Sequence, residues 1–368
     1  MPALTESQDW VDYVGLRLMD DVEIEIGGQR IDKHYPQWLY IWNQLSLPFG
    51  KRHGYDLMTG EGSTLGGAGL ATPATTLYVP LEFWFCRNVG LSLPLIALQY
   101  HEVKINIDIA PFNKLLSVVN TANTAITPTL GSTSLWVDYI YLDTDERRRF
   151  AQLSHEYLIE QLQFTGVETI NGSTYRYKMN FNHPCKEIVW AINPDVYNVG
   201  GNQWTNFTAQ PGIVATAGGY GGMASAFNGA AAFNLINNSA NGNLSSMNST
   251  KIQLNGQDRF NARDGNYFSL VQPYQHHENV PLNRGINVYS FALKPEEHQP
   301  SGSLNMSRID TAYLTLDTPL LSAGNTIVYL DSARSQIGNL GTASLYVFAV
   351  NYNVLRIMSG MGGLAFSN

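Results

Sequence analysis

The stretch DVEIEIGGQRI, Asp21 to Ile31, alternates in polarity and then turns back on itself. Val22, Ile24 and Ile26 fall on one side and Glu23 and Glu25 on the other, the period-two pattern of a strand with one buried face. Gly27-Gly28 supplies a tight turn, because glycine enters backbone regions that side chains obstruct. The same alternation recurs along the chain. LYVPLEFWFCR puts Val79, Leu81, Phe83 and Phe85 on one face, and HEVKINIDI does so with Val103, Ile105, Ile107 and Ile109. YRYKMNF contributes Tyr175, Tyr177, Met179 and Phe181, and LYVFAVNYNV contributes Tyr346, Phe348, Val350, Tyr352 and Val354. One apolar and one polar face per strand predicts antiparallel sandwich sheets, so the expected fold class is all-β.

The opening stretch is repeated. IEIGGQRI (Ile24–Ile31) matches IQLNGQDRF (Ile252–Phe260), and TSLWVDYIYL (Thr133–Leu142) matches ASLYVFAVNY (Ala343–Tyr352), in the same order. A repeat on this scale duplicates a domain rather than building a solenoid. Two tandem sandwiches are expected, over residues 1–150 and 151–368, joined near Asp145–Phe164. A charge-poor stretch rich in Gly, Ala, Asn and Ser, Asn198–Asn248, reads as a surface insertion in the second. Two good strands, Tyr175–Phe181 and Lys186–Ile192, precede the repeated block in the second copy. The first copy offers only a short one, Tyr13–Leu18, so the first sandwich is expected to lack its opening strands and the chain to be a truncated form of a longer protein.

Helical patterning is confined to three places: PQWLYIWNQL from Pro36, DERRRFAQLSHEYLIEQL from Asp145, and DGNYFSLVQPYQHHE from Asp264. Pro36 suits a first turn, where its missing N–H costs little. Asp143, Asp145 and Glu146 favour the positive end of a helix dipole and are balanced by Arg147, Arg148 and Arg149.

With 368 residues, each half is large enough to bury a core. Charged residues make up only 14% and the net charge is −8, without the basic stripe that a nucleic-acid surface needs. Cys86 and Cys185 are too few for a disulfide framework and have no zinc spacing, which predicts a reduced, cytosol-made protein. The acidic first twenty residues do not read as a signal peptide. The apolar stretch Leu91–Leu98, interrupted by Ser92 and Pro94, is too short to span a membrane.

Several constellations could carry chemistry. Glu296, Glu297 and His298 are adjacent, and adjacent extended residues point in alternating directions, so a structural loop is expected between Pro295 and Gly302. His276, His277 and Glu278 fail as metal ligands for the same reason, as do His101 and Glu102. Gly27-Gly28 and SGMGGL (Ser359–Leu364) lack the Lys-Ser/Thr and the helix of a phosphate loop. Sequons occur at Asn171, Asn206, Asn237, Asn243, Asn248 and Asn305, in sequence where they arise readily by chance. No catalytic, metal or cofactor-binding residue is expected.

Four long motifs, IEIGGQRIDKHYPQWLYIWNQLSLP, LYVPLEFWFCRNVGLSLPLIALQYHEVKINI, LKPEEHQPSGSLNMSRID and NYNVLRIMSGMGGLAF, together resemble the major capsid protein of nucleocytoplasmic large DNA viruses of the algal-virus, iridovirus and giant-virus type. The resemblance covers nearly the whole chain. It implies a double jelly roll, a homotrimeric capsomer of pseudo-hexagonal outline, and an icosahedral shell over an internal membrane. Neighbouring capsomers and minor capsid proteins would be its partners, with no membrane insertion and no direct nucleic acid. The virion is the expected location, after assembly in the host cytoplasm. Family members open with strands carrying an F-F-K-x-V-Y-R-R type motif, which has no match here. The competing readings are a glycan- or receptor-binding sandwich module and a sandwich enzyme; the duplicated sandwich favours a capsid protein over both.

Overall fold

The computed structural model describes residues 8–61, 74–118, 130–195, 203–208, 245–318 and 342–366. The first half contributes β1 (Gln8–Trp10), β2 (Met19–Ile26), β3 (Gln29–His34), β4 (Val103–Ile109) and β5 (Leu116–Val118). Its helices are α1 (Val14–Leu18), α2 (Pro36–Ser46), α3 (Phe49–Thr59) and α4 (Trp84–Arg87). After α5 (Thr144–Gln152) come β6 (His155–Phe164), β7 (Glu168–Ile170), β8 (Thr174–Lys178) and β9 (Pro184–Pro194). Then follow β10 (Ser249–Leu254), β11 (Gln257–Asp258), β12 (Arg263–Asp264), β13 (Asn287–Ser290), β14 (Leu304–Asn305), β15 (Ala312–Asp317), β16 (Ala343–Met358) and β17 (Met361–Leu364). All the pairings are antiparallel. The sheet orders are β3-β2-β4, β11-β10-β15-β8 with β12 beside β10, β13-β9-β16-β17 with β14 beside β9 and both β6 and β7 beside β16, and β1-β5.

Both copies of the repeated block form hairpins with the same turn. Gly27 and Gly28 have φ of 59° and 80°, and Asn255 and Gly256 have 50° and 80°. Two consecutive positive φ values match the right-handed twist of the flanking strands. Ser359-Gly360 closes β16 to β17 with the same signs, 53° and 82°. SGMGGL is therefore the turn and return strand of a hairpin.

The second sandwich has a continuous interior. Ile188, Trp190 and Ile192 of β9 and Leu345, Val347 and Ala349 of β16 pack on Ile252, Leu314 and Leu316 of the facing sheet. The opposite faces of β9 and β16 are also covered: Val189, Ala191, Phe348 and Val350 join Trp38 and Ile41 of α2. The expectation of one polar face per strand therefore fails for these two central strands, because a helix of the first half roofs the side that would otherwise face water. A third cluster brings Ile24, Ile26 and Phe83 against Ile159, Leu355 and Ile357. Each large apolar side chain buried this way contributes roughly 1.5–3 kcal/mol, so the cores that cross the halves bind them firmly.

Four local expectations are corrected. Residues 77–83 form no ladder; Pro80 removes a donor, and the chain enters α4 instead. DERRRFAQLSHEYLIEQL is helical only to Gln152, after which β6 pairs along β16 from His155 to Phe164. Tyr13–Leu18 is a helix rather than a strand, with Tyr13 at φ 51° before α1. Thr133–Leu142 is in no ladder among the described residues. The helical readings at Pro36 and at Asp264 match α2 and a wide helical turn, Tyr267–Val271, continuing into Gln272–His276. Most of the Asn198–Asn248 stretch lies outside the described residues.

Candidate functional site

Three buried polar clusters stand out, and each ties separate elements together. At the seam between the halves, Asp32 Oδ2 lies 3.0 Å from His34 Nε2. Its Oδ1 accepts the backbone N–H groups of Lys33 at 2.9 Å and of Leu162 at 3.0 Å. The Gln161 side chain donates to the carbonyl of Ile31 beside it. A β3 carboxylate thus satisfies backbone on β6.

The second cluster joins β6, β9 and α4. Lys186, fully buried, places Nζ 2.6 Å from Glu160 Oε1, and Arg87 Nη2 approaches Glu160 Oε2 at 3.0 Å. The Lys186 ammonium also lies 5.2 Å from the Tyr352 ring centre, and the Arg87 guanidinium 4.8 Å from that of Trp42. Two cations on one carboxylate, with aromatic faces behind them, compensate the lost hydration of each charge.

The third cluster assembles residues from both of the weighed sequence groups. The His277 imidazole sits between two carboxylates, with Nε2 2.9 Å from Glu187 Oε2 and Nδ1 2.7 Å from Glu296 Oε1. Burial alone would lower the His277 pKa, but Glu187 and Glu296 outweigh it and raise it to about 9. Glu296 also accepts the Glu278 backbone N–H at 3.2 Å. The other members point elsewhere: Glu297 pairs with Lys294 at 2.7 Å, and His276 Nδ1 lies 2.9 Å from the carbonyl oxygen of Leu293. The reasoning that adjacent residues diverge holds, yet it missed that Glu296 and His277 meet across the fold. Glu187 had no sequence signal at all. Among the described residues no group of three His, Cys, Asp or Glu is arranged to hold a metal. Here the ring lies between the carboxylates and engages both, so the array acts as a clamp.

The remaining candidates have structural roles. His101 Nδ1 lies 3.1 Å from the Gly362 amide nitrogen. Asp143 Oδ1 accepts the Glu146 backbone N–H at 2.9 Å and caps α5. Cys86 and Cys185 are free thiols, and burial pushes the Cys86 thiol up to about 11. Asn171, Asn248 and Asn305 are exposed, Asn206 accepts from Thr208 at its side-chain oxygen, and Asn237 and Asn243 lie outside the described residues. A mixed-charge cavity of about 580 Å³ opens at the seam, lined in part by Arg17, Arg30, Lys114 and Tyr346.

The antiparallel sheets of the two halves, tied together by buried ion clusters, have the architecture of a double jelly roll. The model of the large eukaryotic DNA virus major capsid protein matches residues 146–363, and that of the major capsid protein N-terminus matches residues 2–143. The chain belongs to this family of major capsid proteins. It is 44% identical to the major capsid protein of Phaeocystis pouchetii virus, over 98% of this chain and 82% of that one. It is likewise 44% identical to the major capsid protein of Paramecium bursaria Chlorella virus 1, over 97% and 80%. The PBCV-1 VP54 crystal structure, fitted into a reconstruction of the virophage Sputnik, superposes with a TM-score of 0.76 at 42% identity, covering 100% of this chain and 88% of that one. The Faustovirus major capsid protein, at 15% identity and a TM-score of 0.66 over 95% and 73%, shares the fold. The protein's role is structural, in a viral capsid.

Proposed function

We propose that three copies of this chain form a capsomer of pseudo-hexagonal outline and that such capsomers tile an icosahedral shell. The observation that carries this reading is the likeness, at 40% identity and a TM-score of 0.75, to the chain in the quasi-atomic model of the PBCV-1 virus capsid. Two rolls side by side give each chain two corners, so three chains present six. We take residues 1–150 and 151–368 as the two rolls, with the 198–248 insertion belonging to the second.

Neighbouring capsomers and minor capsid proteins are its partners, and no residue does catalysis. The low charge content supports protein-on-protein contact, since few ions must be desolvated on assembly. The net charge of −8 argues against direct contact with nucleic acid. The shell lies over an internal membrane without entering it; among the described residues no helix is long and apolar enough to cross one. Assembly takes place in the host cytoplasm.

Light scattering on a sizing column tests the core of this reading. A species near three times 40.8 kDa is expected. A monomer at every accessible concentration, with saturable binding to a defined glycan, would transfer the protein to the receptor-binding class.

A further inference from the structure

Lys186 and Arg87 are drawn out of water, and both are compensated by the Glu160 carboxylate. Arg17, in the last turn of α1, is treated differently. Its Nε is buried without a hydrogen-bond partner, and its guanidinium forms no ion pair among the described residues. The guanidinium carbon lies 5.3 Å from the centre of the Trp204 ring, which attracts a cation but offers no oxygen acceptor. Burial pushes the Arg17 pKa down, against the opposing pull of Tyr346 and Asp20. A cation withdrawn from solvent normally has a counter-charge and filled donor positions. Arg17 has neither.

The same side chain lines the cavity of about 580 Å³ at the seam. Both carboxylates in the cavity wall are already engaged: Asp20 accepts from Lys114 at 2.9 Å, and Asp21 pairs with Lys33 at 2.8 Å. Arg30, a second cation of the wall, is exposed and also forms no ion pair among the described residues. The charge left uncompensated in the wall is therefore positive. Opposite in character are three aromatic rings in sequence. Tyr35 and Phe164 have centroids 4.8 Å apart, and Phe164 and Tyr346 have centroids 6.3 Å apart. An apolar wall with a few polar groups that fix orientation, at a volume of roughly 300–1,000 Å³, is the form of a small-ligand site.

We propose that this cavity binds an organic monocarboxylate with an apolar body, the carboxylate on Arg17 and the body against the rings of Tyr35, Phe164 and Tyr346. A guanidinium presents parallel N–H donors that match the two oxygens of a carboxylate, and the pairing is stronger where water is scarce. One negative charge suits the site better than a phosphate dianion, because Asp20 and Asp21 stand in the same wall and repel further charge. The wall is drawn from α1, β2 and β3 of the first half and from the β6–β7 connection and β16 of the second. An occupant therefore touches both halves and stabilises their junction by mass action. A free acid and the C-terminal carboxylate of a polypeptide ending in an apolar residue offer the same chemistry. The site is complete within one chain, so it does not depend on the trimer.

Calorimetric titration of the full chain with phenylpropionate, phenylpropionamide and inorganic phosphate at neutral pH tests it. Saturable binding of one phenylpropionate per chain is expected, at least about tenfold tighter than the amide, the scale of a charge-assisted hydrogen bond. Arg17→Gln should weaken the acid by at least about tenfold and leave the amide unchanged. Arg17 also contacts Trp204, so a second variant guards against loss of folding. Val167 lines the cavity from a half-exposed position, and Val167→Trp should abolish binding of the acid without lowering the melting temperature. Tighter binding of a short peptide ending in phenylalanine with a free carboxylate would support the site and assign its occupant to a polypeptide chain end; tighter binding of phenylpropionate would support it as a site for a free acid. Equal affinity for acid and amide would overturn the proposal. So would phosphate binding as tight as that of the acid, or the absence of saturable binding at millimolar acid.

Discussion

Asp32 on β3 accepts the backbone N–H of Leu162 on β6 at 3.0 Å while holding His34 with its other oxygen. Replacing Asp32 by Ala leaves a buried imidazole and a buried N–H without that acceptor. The expected loss is about 3 kcal/mol, the scale for breaking a buried pair from one side. Urea unfolding would show it as a lower midpoint with an unchanged slope. A loss below about 0.5 kcal/mol, the range of a surface substitution, would mean that the seam is held by apolar packing alone.

The clamp at His277 makes stability depend on pH with a defined sign. Its folded pKa of about 9 lies above the ordinary 6.5, so the folded state binds the proton more tightly than the unfolded chain. The contribution is complete below about 6.5, declines as pH rises and is gone above about 9, with an upper size of about 3 kcal/mol. Other groups titrate in the same range, so the informative quantity is the difference between the wild type and His277→Gln. That difference should shrink between pH 6 and pH 9.5 in thermal melts. A difference that stays constant would show that His277 carries no linked proton.

The Lys186–Glu160 pair should behave asymmetrically. Lys186→Ala removes the cation 2.6 Å from Glu160 and opens a cavity in a fully buried site, with an expected cost of about 3–5 kcal/mol. The double change Lys186→Met with Glu160→Gln removes both charges and preserves volume, and should recover most of that loss. Failure of the double variant to recover would mean that the charges themselves are required, through Arg87.

Two glycines predict opposite outcomes. A Cβ on Gly285 would lie 1.6 Å from the carbonyl oxygen of Phe207, which is backbone and cannot move aside. Gly285→Ala is expected to cost more than about 3 kcal/mol, as overpacking at its upper end, and to reduce soluble yield. Gly54 lies within α3 with open space around its Cβ direction, so Gly54→Ala should stabilise by about 0.5–1 kcal/mol. Thermal melts of the two variants would decide; a tolerated Gly285→Ala would place the 203–208 segment farther from β13 than it stands here.

Much of the architecture was legible in Asp21–Ile31 and its repeat, because period-two alternation and a Gly or Asn-Gly turn act over a few residues. The hairpins of β2–β3 and β10–β11 follow from them directly. The misses occurred where a neighbour decides. Val79, Leu81 and Phe83 alternate like a strand but meet packed side chains rather than a ladder. Tyr157 and Leu158 keep helical spacing with Phe150 and Leu153, yet β16 offers them a complete ladder. Thr133–Leu142 matches a largely buried stretch of β16 and lies exposed, because burial depends on what packs beside it rather than on its own composition.

The ion clusters mark the same division. Asp32 and Leu162, Glu160 and Lys186, or Glu187, His277 and Glu296 carry no spacing that announces contact, since they belong to strands and loops that meet only after the sheets assemble. Alternation, turns and the duplicated blocks are properties of the local chain, written in residue order and governed by backbone sterics and side-chain direction. Which faces are covered and which charges pair are settled only by tertiary packing, where distant segments compete to exclude water from the same surface.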